Sequence, residues 1–150
     1  MSNSTPSPQT HTISVLICDD NHALRELLRV VVGLESDLHV AGEARNGEEA
    51  IVEAKRLQPD VILLDLAMPV LTGLDALPAI KAAAPRAHVV ALTGFSAEVV
   101  EEVVLRAGAD SLLEKGVHPD SIADAIRLAY AARRNGDGPL SATELQALAD

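Results

Sequence analysis

The chain has 150 residues, 48% of them apolar and 23% charged, with one cysteine, one phenylalanine, one tyrosine and no tryptophan. That balance fits one domain with an aliphatic core and excludes a disordered chain, a disulfide scaffold and a base-stacking surface for single-stranded nucleic acid. A formal net charge of −10 with no segregated basic patch argues against direct nucleic-acid binding, and no apolar run reaches the ~20 residues that a membrane-spanning helix needs.

In chain order, residues 1–12 are rich in Ser, Thr and Pro, lack the basic start and apolar stretch of a signal peptide, and read as a disordered leader. Ile13–Cys18 is a short apolar run that reads as a strand, and a cytoplasmic location suits its lone Cys18 as a buried, inert thiol. Asp19 and Asp20 follow it, before a helix beginning near Ala23 in which Leu24, Leu27, Leu28, Val31 and Leu34 recur at helical spacing. Gly33 is placed to end that helix in a left-handed turn.

Leu38–Ala44 is the second predicted strand, and Ala50, Ile51, Ala54 and Leu57 mark the second helix. Val61–Leu64 has no polar alternation, the pattern of a central strand covered on both faces, and Asp65 follows it. Beyond Asp65, Pro69 fixes φ next to Met68 and Gly73 allows a close backbone approach. Ala87–Leu92 is the fourth strand, followed by Thr93-Gly94 and a helix carrying Val99, Val100, Val103 and Val104. That valine band is wider than one buried stripe requires and fits a buried helix or a partner face equally.

Gly108 suits a helix terminator, Ser111–Glu114 is the fifth strand, and Lys115 follows it. Pro119 and Asp120 suit the first turn of a last helix that contains Ala125, Ile126 and Ala129. Residues 13–135 thus form one domain. After the terminator Gly136, the stretch Gly136–Pro139 reads as a linker and Ser141–Glu144 as a capping box opening a short C-terminal helix with Leu145 and Leu148.

Five short apolar runs alternating with five helical segments predict an α/β fold with an open, doubly wound parallel sheet, whose ligands lie beyond the carboxyl ends of the strands. Asp19, Asp20, Asp65, Thr93 and Lys115 all fall at that edge. Three carboxylates in one cleft repel each other and either take up protons or recruit a cation. Mg²⁺ suits an all-oxygen set, whereas His11, His22, His39, His88 and His118 are scattered over different elements and offer no zinc site. Beside such a cation an aspartate can attack a phosphoryl group while an ammonium and a hydroxyl neutralise its oxygens. Singly, each residue has a plainer reading: Asp65 as a turn or capping residue, Asp19 or Asp20 as caps of the following helix, Thr93-Gly94 as a turn, Lys115 as a surface lysine. Their joint occurrence sets those readings aside.

Asp19-Asp20, Asp65 with Met68-Pro69 and Gly73, Thr93-Gly94, and Gly108-Ala109-Asp110 leading to Lys115 resemble, in order and spacing, the motif set of the response-regulator receiver domain of two-component signalling. The pattern is most similar to receivers of nitrate-response and quorum-sensing regulators that carry a helix-turn-helix domain. The resemblance implies a flavodoxin-like sheet of order 2-1-3-4-5 with five helices. It implies Asp65 as phosphoacceptor, Mg²⁺ held by Asp20, Asp65 and the backbone carbonyl of Ala67, and Asp19 acting through a metal-bound water. Thr93 would hydrogen-bond the phosphoryl group and Lys115 would pair with it. The implied donor is a sensor histidine kinase. The implied output is a conformational change, with a homodimer through the fourth and fifth or the first and fifth helices as one outcome. Catalysis of its own would be limited to self-phosphorylation and autodephosphorylation.

Two positions depart from the pattern. Leu112 stands where receivers often carry a Tyr, Phe or His switch, leaving coupling to Thr93 and the loop after it, and Gly116 follows Lys115 where many relatives have Pro. Ala67 and Phe95 flank the expected path of the hydrolytic water, and Phe95 as a shield predicts slow or intermediate dephosphorylation. Leu140-Ser141-Ala142-Thr143-Glu144-Leu145 is similar to the opening of a helix-turn-helix domain, and with Asp150 as the last residue the expectation is a truncated regulator or a remnant without a recognition helix. Competing readings are a constitutive protein-binding pseudo-receiver, a phosphatase of the haloacid-dehalogenase type, which Ala67 in place of its second acid opposes, and a flavin or nucleotide binder, which would want a Gly-rich phosphate loop.

Overall fold

A computed structural model describes residues 12–135; apart from Thr12, the predicted leader, the terminator Gly136, the linker and the short C-terminal helix lie outside the described residues. Within them the chain alternates β1 (Ile13–Cys18), α1 (His22–Gly33), β2 (Leu38–Ala44), α2 (Gly47–Leu57), β3 (Val61–Asp65), α3 (Gly73–Ala83), β4 (His88–Thr93), α4 (Ala97–Ala107), β5 (Ser111–Glu114) and α5 (Pro119–Asn135). The strands form one parallel sheet in the order β2-β1-β3-β4-β5. This is the predicted doubly wound architecture.

The period of two along each strand divides the core into two layers. Leu16, Ile62, Leu64, Val89, Ala91 and Leu112 face α2, α3 and α4, against Ala50, Ala54, Leu77, Ile80 and Val104. Val15, Ile17, Leu63, Val90 and Leu113 face α1 and α5, against Leu28, Val32, Ile122, Ile126 and Ala129. Ala125, Ile126 and Ala129 are therefore core residues. Alanine on α2, α3 and α5 lets the helices sit close to a sheet built of larger aliphatic residues. Arg127 ties α5 to the turn before β2 through Glu35 and Asp37, while Asp124 pairs with it within α5.

Several local expectations change. β3 and β4 each run one residue further than their apolar runs, so Asp65 and Thr93 are the last residues of their strands rather than loop residues. Asp65 stays in register with Leu92, and the Lys115 N–H donates to the Thr93 carbonyl at 2.8 Å, which carries the ladder to the edge. Neither Asp19 nor Asp20 caps α1. Asn21 does, its side chain accepting from the Leu24 N–H at 3.1 Å. Gly33 does not end α1 in a left-handed turn, because Leu34 closes the helix in the right-handed region with its N–H on the Val30 carbonyl at 3.0 Å. Gly108, with φ of 121°, does end α4 as expected. The left-handed cap of α2 is Gln58, φ 45°, whose side-chain amide compensates by donating to the Ala54, Lys55 and Ala83 carbonyls.

Candidate functional site

The carboxyl ends of β1, β3 and β5 bring Asp19, Asp20, Asp65 and Lys115 together. One carboxylate oxygen from each of the three acids lies within 4.8 Å of the others; Asp19 and Asp65 are buried and Asp20 is exposed. The Lys115 ammonium reaches Asp65 Oδ1 at 3.0 Å and Asp19 Oδ2 at 3.4 Å. Asp65 Oδ1 also accepts from the Ala67 N–H at 3.1 Å, and Asp19 Oδ1 accepts from the Asn21 N–H at 2.9 Å. Thr93 is buried beside them, its Oγ1 accepting from the Phe95 N–H at 3.0 Å. Leu112 lies further down β5, fully buried opposite Ala91 and away from the edge.

Two carboxylates so enclosed strain each other electrostatically. Burial pushes the Asp19 carboxyl up from its usual range and the neighbouring Asp65 charge adds to it, while the Asn21 N–H and Lys115 oppose. For Lys115, burial opposes the charge, but the Asp65 and Asp19 carboxylates outweigh it and hold the ammonium above its ordinary value. Asp65 Oδ2 is buried and receives no hydrogen bond, and Asp19 Oδ2, also buried, has only the ion-pair contact to Lys115 at 3.4 Å. Buried oxygens so short of donors, in a set offering oxygen alone, fit a small hard divalent cation.

An apolar cavity of about 270 Å³ opens beside Asp65, lined by Leu66, Ala67, Leu74, Thr93, Phe95 and the α4 valines. Gly73 lies against the Asp65 peptide so closely that a Cβ there would stand 2.0 Å from the Asp65 carbonyl oxygen. Val70, in the loop between, takes φ of 68°, a left-handed conformation unusual for a β-branched residue.

Sequence reasoning missed Arg25. It is 8% exposed and donates from Nη1 to the Asp19 main-chain oxygen at 2.8 Å. Its register with Leu28 and Val32 on the inward stripe of α1 is the signal that could have found it, since an arginine on that stripe must meet a buried partner.

With this geometry in place, comparison with known proteins decides the family. The family model described as response regulator receiver domain matches residues 15–127. The chain belongs to the response regulator receiver family. It is 40% identical over 117 residues to the transcriptional regulatory protein YxjL of Bacillus subtilis, covering 78% of this chain and 54% of that protein. To the response regulator VraR of Staphylococcus aureus it is 39% identical over 116 residues, covering 77% of this chain and 56% of VraR. The chain thus spans about half the length of these relatives. The receiver domain of the response regulator NarL from Mycobacterium tuberculosis superposes with a TM-score of 0.76 at 26% identity, over 81% of this chain and 98% of that domain.

The raised Asp19 carboxyl gives this receiver a testable pH signature. A carboxyl whose folded pKa lies above its unfolded value contributes stability at low pH that is lost as pH rises through the carboxylate range and beyond it. In metal-free buffer, Asp19→Asn is therefore expected to raise the thermal midpoint at about pH 7, with the gain shrinking toward about pH 3, where Asp19 is protonated in both states. Thermal melts of both proteins across that range check it; a lower midpoint for the variant at neutral pH contradicts the account.

Proposed function

We propose that this receiver accepts a phosphoryl group on Asp65 from the phosphohistidine of a sensor histidine kinase, in a Mg²⁺-dependent step, and signals by conformational change. The observation that carries the reading is the division of labour on the Asp65 carboxylate. Lys115 and the Ala67 N–H occupy Oδ1, while Oδ2 is buried without a donor beside two further acids. The Asp65 carboxylate attacks through one oxygen and keeps the other for the cation: its bond to phosphorus forms as the bond between phosphorus and the donor imidazole nitrogen breaks, the electron pair leaving with the imidazole.

Asp20, Asp65 and the Ala67 main-chain carbonyl would hold the cation, with Asp19 reaching it through water. When bound, Mg²⁺ supplies positive charge against the phosphoryl oxygens. Lys115 pairs with the transferred group, and the Thr93 hydroxyl, still accepting from Phe95, has its proton free to donate to it.

Acetyl phosphate or a loaded histidine kinase, with Mg²⁺, is expected to add one phosphoryl mass to the native chain and none to Asp65→Asn. A native chain left unmodified under both conditions overturns the proposal. Phe95, 71% exposed, lines the cavity together with Asp65 and Ala67 and shields the approach of water. The aspartyl phosphate is expected to outlast seconds and Phe95→Ala to shorten its lifetime, read from the decay of the phosphorylated mass; loss within seconds from the native chain contradicts the shield.

The signalling unit spans residues 13–135 and works in the cytoplasm; no helix among the described residues is long and apolar enough to cross a membrane. Two apolar faces are available for a phosphorylation-controlled homodimer: Val99 and Val103 on α4, and Leu27, Val30 and Leu34 on α1, which packs against α5. The length of the relatives, one of them named a transcriptional regulatory protein, favours a role as the regulatory half of a DNA-binding regulator. Buried Leu112 favours a second reading, a pseudo-receiver that binds its partner constitutively; partner affinity that a phosphoryl mimic leaves unchanged would select it.

A further inference from the structure

Asp20 differs from its two neighbours in the acidic group. Its carboxylate is exposed and no hydrogen bond anchors it among the described residues. Its direction is therefore set by the backbone that leads to it, and the first link is the planar peptide joining Asp19 to Asp20. The Asp19 residue is fixed at three points. Its N–H donates to the Ala44 carbonyl at 3.0 Å, its Oδ1 accepts from the Asn21 N–H at 2.9 Å, and its carbonyl oxygen accepts from Arg25 Nη1 at 2.8 Å. Only the third bond acts on the peptide plane that carries Asp20.

The arginine is costly where it stands. The residue is 8% exposed, and its carboxylate partner, Glu43, lies at 3.4 Å and is held more closely by Arg29 at 2.8 Å. A leucine would satisfy the inward stripe of α1 with no charge to bury, but would leave the Asp19 carbonyl as a buried acceptor without a donor.

We propose that Arg25 is a positioning residue for divalent-cation binding: by fixing the Asp19–Asp20 peptide plane it aims the Asp20 carboxylate at the cation shared with Asp65. The inference rests on the metal-site reading above and adds to it a residue outside the acidic cluster. Arg25 touches neither cation nor phosphoryl group. Its effect is read in metal affinity before any phosphodonor is added.

The test is calorimetric titration with Mg²⁺ alone of the native chain, Arg25→Ala, Arg25→Lys and Glu43→Gln, with a thermal melt of each. Losing a residue that orients a metal ligand weakens binding by about tenfold or more, and Arg25→Ala is expected to do so. Arg25→Lys keeps a charge and one donor but not the planar fork, so it is expected to recover part of that loss while remaining at least about threefold weaker than the native chain. Glu43→Gln leaves the carbonyl bond in place and is expected to lower the melting temperature while staying within roughly twofold of native Mg²⁺ affinity, which separates positioning from packing. Should Arg25→Ala not fold, Arg25→Lys decides alone. Affinity in Arg25→Lys less than about threefold below native then overturns the proposal, as does a folded Arg25→Ala within that margin. A native chain that takes up no Mg²⁺ overturns the metal-site reading itself, and this inference with it.

Discussion

Gly73→Ala is expected to destabilise the fold by about 3 kcal/mol or more and to displace Asp65, because the added methyl has backbone for a neighbour on every near side. Its Cβ would stand 2.0 Å from the Asp65 carbonyl oxygen, 2.9 Å from the carbonyl carbon and 3.0 Å from Leu66 Cα. None of these atoms ends a flexible side chain, and Asp65 is held in the sheet in register with Leu92. Relief requires either the α3 N-terminus to lift, breaking the Leu74 N–H contact to the Leu66 carbonyl, or β3 to shift against β4. Both movements change the position of the acid proposed to accept the phosphoryl group, so stability and phosphorylation fall together. Urea unfolding monitored by circular dichroism measures the first effect and phosphoryl uptake from acetyl phosphate the second. A variant with native stability would show that the loop yields freely at this point. Gly108→Ala is a useful contrast: its obstacle is the left-handed φ of 121° rather than backbone contact, and it lies away from the acids, so it costs stability without displacing Asp65.

The five strands were legible because each presents a short aliphatic run, placed to within one residue at either end, and periodicity marked four of the helices; α3, which begins at the Gly73 read as a loop position, was given no residues of its own. The acidic group was legible for a related reason: in a doubly wound sheet the residues just past the strands share one edge, so Asp19, Asp65 and Lys115 could be brought together without coordinates. What escaped depended on individual side chains. Asn21 takes the cap of α1 because Asp19, two residues earlier and just past β1, is buried and already occupied by the Asn21 N–H. Gln58 adopts a left-handed cap that composition would assign to glycine, and its three carbonyl contacts explain why. Gly33 lost the terminator role because Leu34, in the right-handed region with its N–H on the Val30 carbonyl, closes the helix instead. Arg25 was hidden by its chemistry: a single arginine on a helix reads as solvent-facing unless its register with the buried stripe is counted.

The largest pH effect is expected far from the acids, at the other end of the sheet. His88 opens β4, is 5% exposed, and hydrogen-bonds through Nε2 to Ser111 Oγ at 2.5 Å at the start of β5. Burial pushes its pKa down to about 4; the Asp110 charge opposes this, but Lys81 and Arg133 cancel part of that opposition. A histidine with a depressed folded pKa contributes stability above its unfolded value, near 6.5, and loses it as pH falls toward the folded value. At ~1.4 kcal/mol per unit, the shift implies a loss on the order of 3 kcal/mol when the window is crossed. The carboxylates of Asp37, Glu49 and Glu53, held below their usual range by arginine and backbone donors, lose their contributions at lower pH, so the two processes separate. His88→Gln keeps a polar partner for Ser111 and cannot titrate. Its unfolding free energy, measured by urea denaturation from about pH 7 to about pH 4, is expected to change much less than that of the native chain. Parallel curves for the two proteins would show that His88 is not the group that acid attacks first.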